Sequence, residues 1–173
     1  MLSAPFTRKE DRGTKPETAL PGTQQQTRSE ILGAVSQEMS EENVKTVRDA
    51  FVAYNRGDLD AFLDEYWTDD IDYRAAEGAP DDHGPIQGKD ALRAFMQDWL
   101  DMFDDFRAEP VELIEAGEDK VIAVVRISGR AKLSGVETDL TYAEFWRFRD
   151  GKVAWGRQYM TRDEALEAAG LSE

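Results

Sequence analysis

Glu144 is the one charged side chain in an otherwise uncharged alternating row. Leu140, Tyr142, Glu144, Trp146 and Phe148 share one face of a strand if the period is two. A carboxylate set among aromatic rings is harder to ionise than one in water, so its pKa is expected to rise toward the range in which a general acid or base works near neutrality. A second reading stays open beside it. Arg157 falls nearly opposite Glu144 if Asp150-Gly151 closes a regular hairpin, and the two would then form a cross-strand ion pair that only stabilises the sheet. Other chemistry is thinly represented. His83 is the only histidine and lies in a polar loop beside Asp81 and Asp82, which is too few ligands for a transition metal, so neither a metal nor a cofactor is expected. The chain has no cysteine, which removes disulfides and thiolate sites. It also lacks a Gly-rich phosphate loop, a nucleophile elbow and a dinucleotide fingerprint.

The elements that must position such a carboxylate are legible from periodicity. Ser40 with Glu41 and Glu42 behind it reads as a helix start, and Val44, Val47, Phe51 and Tyr54 recur at helical spacing up to Gly57. Asp58 can cap a second helix with Leu59, Phe62, Leu63 and Tyr66 on its apolar face, and a short strand over Ile71–Arg74 follows. A loop from about Ala76 to Gly88 is punctuated by Gly78, Pro80, Gly84 and Pro85. Asp90–Phe103 carries Leu92, Phe95, Met96, Trp99 and Phe103 on one side of a third helix. The period then changes from 3.6 to 2, with strands expected at Arg107–Glu115, Val121–Lys132, Glu137–Arg149 and Val153–Met160. Thr161 with Glu164 forms a capping box for a closing helix that ends at Gly170. Helices followed by a run of hairpin-linked strands make an α+β fold.

Composition narrows the function classes. The net charge of −15 falls wholly on residues 39–173, because the first 38 residues carry five basic and five acidic side chains. A surface this acidic repels phosphate backbones, so no nucleic acid is expected as a partner. No apolar run reaches the ~18 to 20 residues of a membrane span, and a cytoplasmic protein is expected. Residues 1–38 hold Pro5, Pro16, Pro21 and Gln24-Gln25-Gln26 and few large apolar side chains, so they are read as a disordered extension, either a functional tail or an upstream start ahead of Met39. The domain is expected to occupy residues 39–173.

The segments Ala50–Asp58, Gly88–Leu92, Phe145–Val153 and Ala165-Leu166, taken with the element order, resemble the NTF2-like superfamily and within it the SnoaL-like, polyketide cyclase-like group. The resemblance implies a conical half-barrel, a curved antiparallel sheet with three helices on its concave side, enclosing one deep apolar pocket. It also implies a homodimer joined through the sheet and, for the pocket, an apolar or aromatic small molecule. The superfamily mixes isomerases, cyclases, hydrolases and non-catalytic domains, so the fold does not fix a reaction.

Residue by residue, the last strand is similar to that of the limonene epoxide hydrolases, with Gln158 where they place a water-activating aspartate. Gln158 cannot take a proton at neutral pH. Arg126 matches their arginine while Ser128 stands for its acidic partner, and Tyr73 and Ala75 stand for their water-positioning tyrosine and asparagine. Ala75 also lies about where ketosteroid isomerases carry their base, and Gln158 near the acid of the polyketide cyclases. The usual bases are thus replaced, and Glu144 is left as the candidate acid-base group. The resemblance turns Gln158 and Met160 inward with Leu140 and Tyr142, whereas strict hairpin pairing turns Trp155, Arg157 and Tyr159 toward Glu144. A bulge at Gly156 reconciles the two. The expected pocket is therefore Tyr73, Trp99, Arg126, Ser128, Tyr142, Glu144 and Gln158. Arg126 either orients a ligand oxygen or neutralises Glu144.

Overall fold

The computed structural model of the chain describes residues 21–172. They fall into two compact units, one ending at Gly33 and one beginning at Ala34. Helix α1 spans Pro21–Asn55, and in the first unit the described residues are helical, with exposed side chains from Gln24 onward. This differs from the expected start at Ser40. Gln24–Leu32 contains no breaker, so nothing in that stretch stops the helix ahead of Ser40. Ser40 is therefore an interior helix residue with a buried hydroxyl, not a cap. Residues 1–20 of the expected extension lie outside the described residues.

In the second unit α1 is followed by α2 (Leu59–Tyr66), β1 (Trp67–Arg74), β2 (Ile86–Gln87), α3 (Gly88–Met102), β3 (Phe103–Glu115), β4 (Lys120–Ala131), β5 (Glu137–Arg149), β6 (Lys152–Tyr159) and α4 (Arg162–Ala169). Local signals behave as read from the sequence. The Asp58 carboxylate accepts from the Ala61 amide at 3.0 Å, and Thr161 and Glu164 form both halves of the capping box that starts α4. Asp150 and Gly151 both take positive φ, at 52° and 77°, which is the hairpin turn that Asp-Gly favours.

The six strands form one mixed sheet in the order β2-β1-β6-β5-β4-β3, with β1 parallel to β6 and the remaining neighbours antiparallel. α1, α2 and α3 pack on one face, where Phe51, Phe62, Leu63, Leu92, Trp67, Tyr73 and Trp146 join the main core. α4 lies on the other face over Ile122, Ala143 and Phe145. The sheet thus has two apolar faces at its centre, and β4 is buried without interruption from Val121 to Val125.

The β5–β6 hairpin does contain a bulge, but not at Gly156. Arg147 pairs with Trp155 and Phe148 with Val153, so the extra residue is Ala154. Beyond it Gly156 faces Trp146 and Gln158 faces Glu144, while Arg157 faces Phe145. Gly156 has another task. Tyr73 pairs with it across the β1–β6 seam, and a Cβ placed there would sit 2.6 Å from the Tyr73 ring. The glycine lets that ring lie flat over the strand.

Candidate functional site

Between the three helices and the concave sheet face lies a cavity of about 250 Å³. Its walls are mostly aromatic and aliphatic: Phe51 and Tyr54 of α1, Phe62 of α2, Phe95, Met96 and Trp99 of α3, Phe106 of β3 and Ile127 of β4. β5 contributes Leu140, Thr141, Tyr142, Glu144 and Trp146, β6 contributes Gln158, and Met160 follows β6. Ala76, Ala79, Pro80 and Asp81 of the loop after β1 complete the lining. Helical spacing aims the α1 and α3 side chains at this space, and strand alternation aims every second residue of β5.

Glu144 is 3% exposed. The Tyr142 hydroxyl donates to its Oε1 at 2.7 Å, and the Trp146 indole N–H donates to its Oε2. All three residues sit two apart on one strand face, so the ring neighbours that desolvate the acid also hold it. Burial raises the Glu144 pKa; hydrogen bonds from Tyr142 and Trp146, with Gln158 and Tyr73 close by, offset part of that rise. The same burial, reinforced by Glu144, pushes the Tyr73 and Tyr142 phenols well above their ordinary range, so both remain neutral donors. Tyr73 is fully buried beside Glu144 and Gln158, and its hydroxyl makes no hydrogen bond of normal geometry.

Of the expected pocket residues, Trp99, Tyr142, Glu144 and Gln158 line the cavity, and Tyr73 packs beneath it against Gly156. Arg126 and Ser128 do not line it. Val121, Ala123, Val125 and Ile127 take the concave face of β4, which turns Arg126 and Ser128 to the opposite face. There Arg126 donates through Nε to Asp139 at 2.8 Å, with both side chains more than half exposed. The alternation of Val125, Ile127 and Gly129 with Arg126, Ser128 and Arg130 carries this signal in the sequence. Arg157 also corrects the ion-pair expectation. It binds the Asp72 carboxylate at 2.9 and 3.0 Å and lies over the Trp155 ring, away from Glu144. Ala75 is buried at the end of β1 outside the cavity lining.

Asp81, expected in a polar loop beside His83 and not in the pocket, is a lining residue. Its Oδ2 accepts from the Trp99 indole at 3.1 Å, which draws the loop against α3. The neighbouring Asp82 holds the loop's shape by accepting from the Gly78 and Gly84 amides and pairing with Arg74. No periodic pattern marks Asp81, because its direction depends on loop geometry. Among the described residues no three His, Cys, Asp or Glu side chains are grouped so as to hold a metal ion.

Among the described residues, a curved sheet wrapped over helices encloses an apolar cavity with a buried acid at its wall. The chain belongs to the SnoaL-like domain family, whose model matches residues 47–155. No curated protein matches it in sequence. Among solved structures, an NTF2-like protein from Burkholderia pseudomallei is 24% identical with a TM-score of 0.61, covering 73% of this chain and 95% of its own. TerC, co-crystallised with polyporic acid, is 20% identical with a TM-score of 0.60 and covers 75% of this chain and 98% of its own. A Mycobacterium tuberculosis protein in complex with estradiol-17β-hemisuccinate is 15% identical with a TM-score of 0.60, covering 70% and 95%. These likenesses establish the fold.

Proposed function

We propose that this chain binds a mostly apolar or aromatic small molecule in the cavity, presents one of its polar atoms to Glu144, and acts on it by cofactor-free proton transfer, as an isomerase, cyclase or hydratase would. The observation that carries the reading is a carboxyl group 3% exposed on the wall of an apolar cavity of about 250 Å³, held by neutral donors with no cation among the described lining residues. Burial favours its protonated form and moves its proton exchange above the ordinary carboxylate range, so that one group can both donate and accept a proton. The Gln158 amide opposite offers a donor for an oxygen that gains charge during the transfer. Structural neighbours that hold polyporic acid and a steroid ester support a ligand of this general kind. The proposed working form is a cytoplasmic homodimer joined through the outer sheet face, and no described helix is long and apolar enough to cross a membrane.

A second reading, a non-catalytic dimerisation or interaction domain, is favoured by one observation: both Glu144 oxygens already accept a hydrogen bond from their own strand. The two readings separate with 2-tetralone and related two-ring enolisable ketones as probes. Under the first, members of the set raise the melting temperature, and wild type incorporates deuterium from D₂O at the acidic carbon while Glu144→Gln does not. Binding without exchange supports the second reading for Glu144. No shift in melting temperature with any probe removes the ligand-binding proposal.

A further inference from the structure

The cavity is one-sided in charge. Among the described residues that line it there is no Lys, Arg or His, while two carboxyl groups do: Glu144 on the sheet and Asp81 in the loop after β1. The cations that might have balanced them are committed elsewhere. Arg126 pairs with Asp139 and Arg157 with Asp72, both on the far face of the sheet, and Arg74 pairs with Asp82 within the loop. The remaining polar groups of the lining are neutral: Tyr54, Thr141, Tyr142, Gln158 and the Trp99 and Trp146 indoles. Of these, Tyr54 donates to the Met96 carbonyl, Trp99 to Asp81, and Tyr142 and Trp146 to Glu144.

An anionic ligand is poorly served by such a lining. Its carboxylate would lose its water and meet either a carboxyl group that is itself disfavoured as an ion or the Asp81 side chain, with no guanidinium or ammonium to offset the loss. A hydroxyl or ammonium group fits. Asp81 has an oxygen, Oδ1, not used by Trp99, and an O–H or N⁺–H donor there gains a charge-assisted hydrogen bond. From this we infer that the cavity selects a ligand bearing a hydroxyl or amine on a compact apolar skeleton and discriminates against the corresponding carboxylic acid, with Asp81 as the specificity-determining residue. The inference rests on the ligand-binding reading above and names the substrate class for that site.

The test is a matched set on one skeleton: 2-naphthylmethanol, 2-naphthylmethylamine and 2-naphthoate, titrated by calorimetry against the full chain at physiological salt. The expected result is that the alcohol or the amine binds about tenfold tighter than the acid or more, the scale set by leaving one charge unpaired in a partly desolvated site. Asp81→Asn is expected to narrow that gap to about threefold or less. Asp163→Asn on α4 changes net charge by the same amount at a side chain 93% exposed on the other face, and leaves the gap unchanged. An amine preference that Asp81→Asn abolishes assigns the selected group to cations, whereas equal loss for alcohol and amine assigns it to hydrogen-bond donors in general. Binding of 2-naphthoate as tight as that of the alcohol overturns the inference and leaves the binding reading standing. A gap that Asp163→Asn narrows as much as Asp81→Asn also overturns it, because the selection would then come from overall charge. If none of the three binds, the ligand-binding reading itself falls.

Discussion

Glu144 and Asp139 are carboxylates of the same strand that the sheet sends to opposite environments. Asp139 emerges on the outer face, where the Arg126 guanidinium holds its pKa below the usual carboxylate value. Glu144 faces the cavity, where burial pushes its pKa the other way and only neutral donors stand against that push. Around the apolar centre that α4 covers, the outer face is organised by charge: Arg157 with Asp72, Arg147 stacked on Trp155 at 4.1 Å, and Arg162 of α4 with Glu112 of β3. The inner face is organised by rings: Phe51 stacks on Trp146 at 5.5 Å, and Trp67 meets both Trp146 and Tyr73 edge-on. The lesson is that a sheet one residue thick separates two dielectric regimes, and a titratable group takes its chemistry from the side it is on.

The largest effect expected on the inner side comes from Gly156. Any Cβ there collides with the Tyr73 ring, so Gly156→Val should cost about 3 kcal/mol or more and appear as loss of cooperative unfolding in a denaturant melt. Retained stability would mean that the ring does not cross the strand. Next comes Tyr142→Phe, which removes a donor from a buried carboxyl group. A loss of about 1 to 3 kcal/mol is expected by chemical denaturation, together with a further rise of the Glu144 pKa read by carboxyl ¹³C chemical shift.

Glu144→Gln separates the two faces by pH. A carboxyl whose folded pKa lies above its ordinary value of 4.5 contributes stability that is full below the unfolded pKa and lost as pH rises through the folded one. Gln has no such proton to lose. Wild type should therefore fall behind Glu144→Gln in melting temperature as pH is raised from about 4.5, and a difference that is flat with pH would show that Glu144 is not strained by ionisation. Tyr73→Phe is expected to be smaller still, within about 0.5 kcal/mol of wild type, since the hydroxyl it deletes makes no hydrogen bond of normal geometry. On the outer face Arg126→Ala should leave ligand binding unchanged and shift the melting temperature only slightly, less so at high salt, as a solvent-screened pair requires. A lost ligand response in that variant would return Arg126 to the pocket.

Much of this protein is written in local pattern. The Asp58 cap, the Thr161–Glu164 box, the Asp150-Gly151 turn and the period-two row that aims Glu144 inward each depend on a few neighbouring residues. Their free energies are satisfied within one or two turns of chain, so the sequence alone determined them. The same locality let the family resemblance settle the α+β cone. What tertiary structure decided is everything that needed a second element to choose. β4 is apolar through both faces from Val121 to Val125, so its early residues do not say which side is inside; the alternation that follows them carries the signal, and the pairing with β5 sets Ile127 toward the cavity and Arg126 toward solvent. The bulge fell at Ala154, and Gly156 instead receives a ring arriving from β1. Asp81 entered the cavity wall through one indole on α3. A residue type fixes what a side chain can do, and its spacing fixes which neighbours share its face. The partner it meets across a sheet or loop is a nonlocal contact, and its free energy exists only once the chain has folded.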